Sequence, residues 1–499
     1  MEFKIAREMY NWNGQQPFFA YQKESCCVKG GDCGKPGDRL HYTPYETEEK
    51  ERMGMPALQN DLTQGSVSRK LVRYAMPLVA SSLLQAIYSI TDIIIAGHFI
   101  GDNGISAINT SSVIMNMLTQ LAIGVTVGGN ILVSRYFGSG AEEDRRKAAG
   151  NTLTIGIIAG ILFTALVVLL CRPILVLLRA PAMEDSVAYL GICGVGLFFI
   201  FGYNALSAIL RGVGNSRIPL YCIIVSVSLN VVLDILFVAV FRWGVAGAAL
   251  ATVLGQAVSC LTALVFCLCH RADLGLLPRF LRPEGGMIKR ILKLGFPTAL
   301  QWTIASISWL VVLALINQHG VTISAANGVS NKIRDFCQLF ISALTTGGGT
   351  MCAQCLGARL FDRAEQVMKT CLKLALALAA VIIVVAELFA PQFAMIFTPD
   401  PEVQRWAVIN LRIEIICQLF YAAMFAYNTL ATGSGHTVFV MWNSFLNCIV
   451  VRLILAVILD HFFGIYGVYV ACGIAVSSSV PVCVWFYRSK RWMTMKHIR

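Results

Sequence analysis

Charge is what this sequence has least of. Only 14% of its 499 residues are Asp, Glu, Lys or Arg, while 56% are hydrophobic, against about 25% charged in an ordinary soluble domain. A chain so composed cannot clothe itself in polar groups, which excludes a water-soluble globular protein and points to an integral membrane protein. A GxxxxGK[S/T] loop is absent, so direct use of ATP is not expected. The seven histidines form no HExxH-type pair, and no GxSxG elbow occurs, so neither metal-dependent nor serine hydrolysis is indicated; the chain is expected not to be an enzyme and to hold no cofactor and no structural metal. Basic stretches with interleaved aromatics are also missing, which argues against nucleic acid as a partner. Acidic residues are the scarcer sign, 28 against 40 basic, leaving a net charge of +12.

What fills the chain instead is a succession of apolar runs long enough for a hydrocarbon core, which needs about 20 helical residues. Twelve are counted, at 71–99, 105–134, 148–170, 187–210, 218–241, 244–269, 289–317, 322–350, 367–390, 406–430, 437–460 and 464–487. Lys and Arg gather before the first run, in the even-numbered loops (Arg145, Arg146, Lys147; Arg271, Arg279, Arg282; Arg359, Arg363) and after the last (Arg488, Lys490, Arg491). Short loops rich in these residues stay cytoplasmic. A multi-pass protein of the inner (plasma) membrane is expected, with both termini cytoplasmic and the bilayer as partner. The +12 is this bias.

The seventeen cysteines suggest no disulfide framework, because fourteen sit almost entirely in apolar helices, where cysteine packs as a small hydrophobe. Cys352 and Cys355 form a C-x-x-C without a thioredoxin-like setting. Cys26, Cys27, Cys33 and His41 lack paired zinc-ligand spacing, and the polar, glycine-bearing segment around them reads as a tail. The resulting plan is 1–65 as a disordered cytoplasmic extension, 66–270 as a first six-helix lobe, 271–288 as a linker, 289–488 as a second lobe and 489–499 as a cytoplasmic tail.

The two lobes repeat each other. Pro77 is answered by Pro297 and Gly244 and Gly247 by Gly464 and Gly467, each 220 residues on; Ile105-Ser106-Ala107 is answered by Ile323-Ser324-Ala325 after 218, and the glycines after Arg211 by those at Gly433 after 221. Six helices per half is an even number, so both halves enter from the same side and the repeats are parallel. The expected fold is an all-α membrane protein of twelve transmembrane helices in two parallel six-helix repeats around a central cavity. Transport is the function such a bundle suggests.

A few polar residues interrupt the apolar runs. Asn230 and Asp234 stand four residues apart in helix five, hence on one face; Asp92 stands in helix one with Gln85 and Tyr88 seven and four residues before it; Thr252 adds a hydroxyl in helix six. An Asp at mid-membrane costs about 2.5–3.5 kcal/mol on insertion scales and marks an ion or proton path, whereas Asn or Thr alone is commonly helix–helix glue. The set is therefore read as a cation or proton site made of Asp92, Asn230, Asp234 and Thr252, suited to Na+ or H+ alike. Arg334 with Asp335, and Arg452, are read as structural charge pairs or gating contacts, with Glu414 as a candidate second proton site. Asn204 and Gln256 are expected to line the substrate cavity.

These residues, and the runs TQGSVSRKLVRYAMPLVASSLLQAIYSITDIIIAGHFIG, LRGVGNSRIP, GVAGAALATVLGQ and AQCLGARLFDRAEQ, resemble the multidrug and toxic compound extrusion (MATE) family over about residues 63 to 488. The resemblance implies the same ion site at Asp92, Asn230, Asp234 and Thr252, cavity roles for Gln85 and Tyr88, and a bend of helix one at Pro77. The helix-seven glutamate of one family branch would fall near Ala305 or Ser306 and is absent, which puts a cation site in the second lobe in doubt. The expected function is a secondary antiporter, acting as a monomer, that exports amphipathic, mainly cationic organic compounds in exchange for Na+ or H+. A flippase for lipid-linked saccharides is the alternative, against which stand the count of twelve helices and the acids of the first lobe.

Overall fold

The computed structural model describes residues 59–494 apart from 178, 179, 181 and 275. The extension before residue 59, with the zinc alternative at Cys26, Cys27, Cys33 and His41, lies outside the described residues. The apolar runs are helices because a chain in hydrocarbon must satisfy its own backbone, and a helix does so within one segment. They are α1 (Val67–Phe99), α2 (Asp102–Ser139), α3 (Glu142–Leu177), α4 (Met183–Gly212), α5 (Arg217–Val240) and α6 (Gly244–Cys269), then α7 (Gly285–Asn317), α8 (Val321–Gly357), α9 (Phe361–Phe397), α10a (Pro401–Ile415) with α10b (Gln418–Gly433), α11 (Thr437–Phe463) and α12 (Ile465–Arg488). Eleven are long and apolar enough to cross a membrane, and the bent pair α10a–α10b makes the twelfth span.

Three details depart from the sequence expectation. The tenth span is not one helix: it bends by 42° between its two parts. α7 begins at Gly285, earlier than 289, so the connection is shorter and carries two single-turn helices, Arg271–Leu274 and Pro278–Leu281. α5 and α11 each contain a π-helical turn, Ile235–Val240 and Leu446–Val451. Such turns insert an extra residue and are often found at functional positions. α1 runs unbroken through Pro77, where Ser81 Oγ donates to the Pro77 carbonyl at 2.8 Å.

The repeat is visible in how the lobes meet. The start of each lobe's first helix packs into the core of the other lobe: Leu71, Tyr74 and Ala75 of α1 lie among Met351, Cys355 and Val367, while Met287, Ile291 and Leu294 of α7 lie among Ile131, Leu132 and Leu210. Glycines allow the close approach. A Cβ built on Gly138 would stand 2.0 Å from the Gln354 carbonyl oxygen, and one on Gly357 would stand 2.0 Å from that of Arg135. Arg135 and Gln354 are equivalent residues, 219 apart, and each reaches across. Arg135 Nε and Nη2 donate to the Gly433 carbonyl at 3.0 and 2.9 Å, and Gln354 Nε2 donates to the Gly212 carbonyl at 3.0 Å. This reciprocal clasp is what a rotation relating two parallel repeats produces.

The chain just before α1 is ordered against this end of the bundle rather than disordered up to residue 65. Asn60 N donates to the Val213 carbonyl of the first lobe at 3.0 Å, and Leu62 N to Gln354 Oε1 of the second at 3.0 Å. Arg363 Nη2 holds the carbonyls of Gln64 and Gly65 at 2.8 and 2.9 Å. Residues 59–65 thus form a strap over both lobes.

Candidate functional site

Inside the first lobe, α1, α2, α4, α5 and α6 enclose a cavity of about 380 Å³, within the about 300–1,000 Å³ common for small-molecule sites. α1 contributes Gln85, Tyr88, Ser89 and Asp92, α5 contributes Ser226 and Asn230, and α6 contributes Thr252, Gln256 and Ser259. Asn204 of α4 completes the expected set, so Gln85, Tyr88, Asp92, Asn204, Asn230, Thr252 and Gln256 all lie on one wall-to-wall surface. The two helices that carry the amides and hydroxyls are drawn together at Gly255, where a Cβ would stand 3.0 Å from Asn230 Cβ.

Asp234 is placed differently. It is 1% exposed and is not among the residues lining the cavity. It sits one turn beyond Asn230, where α5 passes into its π-helical turn. Pro77, toward the strap end of α1, is outside the cavity wall as well.

The polar atoms here fall into two groups. Several are satisfied locally: Tyr88 Oη and Thr252 Oγ1 are 3.2 Å apart and tie α1 to α6, Ser226 Oγ donates to the Gly255 carbonyl at 2.6 Å, and Asn204 Nδ2 donates to the Ile200 carbonyl at 2.8 Å. Others are buried with no partner, namely both side-chain atoms of Asn230, Asp234 Oδ1 and Gln256 Oε1. Buried polar groups are as a rule hydrogen-bonded, and exceptions mark strain or a ligand. Three of these four atoms are oxygens, the donor type a hard cation takes. Among the described residues no basic group acts on either carboxylate, and the charge acting on Asp234 is Asp92. No group of three or more His, Cys, Asp or Glu side chains suited to a metal ion occurs among the described residues. Cys352 and Cys355 are free and fully buried.

Sequence reading missed a side of the cavity. Ser112, Asn116 and Thr119 of α2, and Tyr189 and Cys193 of α4, also line it. The signal for the first three was present: polar residues at positions 112, 116 and 119 of an otherwise apolar helix keep one face.

The second lobe has no such carboxylates. Its buried charge is Arg334, which pairs with Glu414 of α10a and lies 3.6 Å from its exposed neighbour Asp335. Glu414 is therefore already engaged by a cation. Arg334 and Arg452 both stack on Trp309, with Cζ 4.2 and 4.7 Å from the ring centroid.

Comparison with known proteins agrees with this architecture. The family model MatE matches the chain twice, at residues 77–236 and 297–458, one match in each lobe. The probable multidrug resistance protein YoeA of Bacillus subtilis is 26% identical over 451 residues, covering 87% of this chain and 96% of that protein. The multidrug export protein MepA of Staphylococcus saprophyticus is 25% identical over 412 residues, covering 81% and 90%. Among solved structures, an outward-facing multidrug resistance MATE family transporter of the MOP superfamily superposes with a TM-score of 0.82 at 22% identity, covering 87% of this chain and 98% of its own. A MOP superfamily transporter from Pyrococcus furiosus gives the same TM-score, 0.82, at 22% identity, with 87% and 98% covered. With twelve spans, a parallel repeat and a match in each half, the chain belongs to the MATE family.

Proposed function

We propose that this protein is a secondary antiporter that exports amphipathic, mainly cationic organic compounds from the cell in exchange for Na+ or H+. The observation that carries the reading is the pair Asp92 and Asp234, set in one lobe with no basic partner among the described residues, beside the unpartnered amide of Asn230 and the unpartnered Gln256 Oε1. An uncompensated carboxylate in a low-dielectric interior is costly, and either a small cation or a proton relieves the cost. An organic cation entering the same cavity relieves it too. Ion and substrate therefore compete for one charge, and competition of this kind is coupling: each occupant favours the conformation in which it binds better. The relatives named as multidrug resistance or export proteins support the substrate class.

The lobes are clasped at the strap end, which the Lys and Arg bias of the loops assigns to the cytoplasm, so exchange in this conformation proceeds from the opposite side of an inner membrane. A flippase for lipid-linked saccharides is the second reading. The acidic cavity disfavours it, since an anionic lipid headgroup would meet Asp92 with no lining Arg or Lys.

Proteoliposomes holding the purified chain decide the matter. Efflux of ethidium or a similar dye cation is expected to follow an imposed Na+ or H+ gradient and to stop when that gradient alone is removed. Dye flux that ignores both gradients would defeat the antiport reading, and scrambling of a labelled lipid-linked saccharide without dye flux would establish the alternative.

A further inference from the structure

The second lobe contains a positive charge that no carboxylate pairs with among the described residues. Arg452 is 2% exposed. Its Nη2 donates to Tyr421 Oη at 3.2 Å, a neutral partner, while its Nε and Nη1 are buried without an acceptor. Glu414 pairs with Arg334 through one carboxylate oxygen, its Oε1 being buried without a hydrogen-bond partner, and Asp335, 67% exposed, also lies toward Arg334. Trp309 stacks against both guanidiniums; a ring face softens a cation's cost but does not neutralise it. Two arginines and one buried carboxylate leave one charge over.

Other buried side chains of this lobe also lack partners. Gln418, fully buried, has neither amide atom engaged, and it precedes Tyr421 by three residues on α10b, hence on the same face. Tyr469 Oη is likewise buried without a partner. Guanidinium, amide and phenol groups all donate hydrogen bonds. Unpaired buried charge is among the most destabilising features a protein can hold, and a set of donors around an excess cation is satisfied by an acceptor of opposite sign.

We propose that Arg452, with Trp309, Tyr421 and Gln418, forms a binding site for a small monovalent anion, either a halide such as chloride or a free carboxylate. The site is independent of the antiport reading, because it uses no residue of the first-lobe cavity. It gives the lobes opposite preferences, cations in the first and an anion in the second.

The test uses the purified full chain in detergent at constant Na+ and ionic strength, with sodium gluconate, too bulky for a dry interior, replaced stepwise by sodium chloride or sodium formate. The melting temperature is expected to rise and then saturate in chloride, formate or both, and Arg452→Gln is expected to abolish the rise. Saturation in chloride alone assigns the site to a halide; saturation in formate assigns it to a carboxylate. Should Arg452→Gln not fold, fluorescence quenching by bromide provides the second measurement: a saturable component is expected in the wild type and its loss in Trp309→Phe. A melting temperature indifferent to both anions, or a saturable rise kept by Arg452→Gln, or saturable quenching kept by Trp309→Phe, overturns the proposal.

Discussion

The two lobes share a backbone plan and differ in the buried charge that lacks an oppositely charged partner, Asp234 in the first and Arg452 in the second. At the positions 220 residues beyond Asp92, Asn230, Asp234 and Thr252 stand Val312, Val450, Ile454 and Cys472; at those 220 before Trp309, Arg334, Glu414 and Arg452 stand Ser89, Ile114, Gly194 and Val232. The helices, the glycine contacts and even the π-helical turns of α5 and α11 recur, while none of these ionisable residues of the membrane spans does. The repeat thus keeps the backbone plan, while the chemistry it carries is free to specialise. In the first lobe Asp92 and Asp234 have no basic partner among the described residues, and Asp92 borders the cavity. In the second, Arg334 pairs with Glu414, and the residual charge belongs to Arg452.

The sharpest way to break this contrast is to remove charge from each lobe and compare what fails. Asp92→Asn and Asp234→Asn are each expected to reduce gradient-driven dye export to background while leaving the melting temperature equal or higher, since an uncompensated buried carboxylate is lost. Wild-type export by either variant, with the same ion dependence, would move that residue out of the coupling site. Arg334→Met should do the reverse damage: it strands Glu414, and breaking a buried pair from one side costs about 3–5 kcal/mol. The double variant Arg334→Met/Glu414→Gln should recover most of that loss in a thermal melt, and failure to recover would show that Arg334 stabilises through Trp309 instead.

Smaller effects sharpen the picture. Asn230→Ala deletes one neutral ligand and keeps both carboxylates, so the half-saturating Na+ concentration, or proton concentration, should rise several-fold, in keeping with about 1 kcal/mol for a typical hydrogen bond. An unchanged ion dependence would make Asn230 structural. Gln354→Ala removes the bonds to Gly212 and Leu62 and should lower stability by roughly 1–3 kcal/mol. Removal of residues 2–58 should leave transport unchanged, whereas removal through residue 66 should impair it by taking the strap; equal activity of the two truncations would deny the strap a role.

Much of this was legible in the sequence because hydrocarbon imposes simple rules. Spans of apolar residues, a shift near 220 and a few buried polar side chains need no knowledge of packing, and seven of the eight residues expected at the ion and substrate sites do border one cavity. Asp234 is the exception, for a reason periodicity cannot supply: it ends the α-helical part of α5, and the π-helical turn beyond it is a tertiary accommodation with no local signature. The bend between α10a and α10b was hidden likewise, because Ile415, Ile416 and Cys417 are apolar enough to continue a helix. The pairing of Arg334 with Glu414, eighty positions apart, depends on which helices become neighbours, whereas Asp335 was visible simply as the next residue.

The clasp at the strap end has a consequence for ancestry. Residue 135 contacts the chain at 433 and residue 354 contacts it at 212, with the glycines at 138 and 357 making the matching approach. Each patch is thus used twice, once from each side, which is the signature of an isologous contact between identical subunits related by a two-fold axis. Were the two halves separate copies of one six-helix chain, a single arginine or glutamine at this position would close the assembly at both places, and one glycine would admit both backbones. Within one chain the two positions need not be identical, and Arg135 in one half and Gln354 in the other grip equivalent carbonyls.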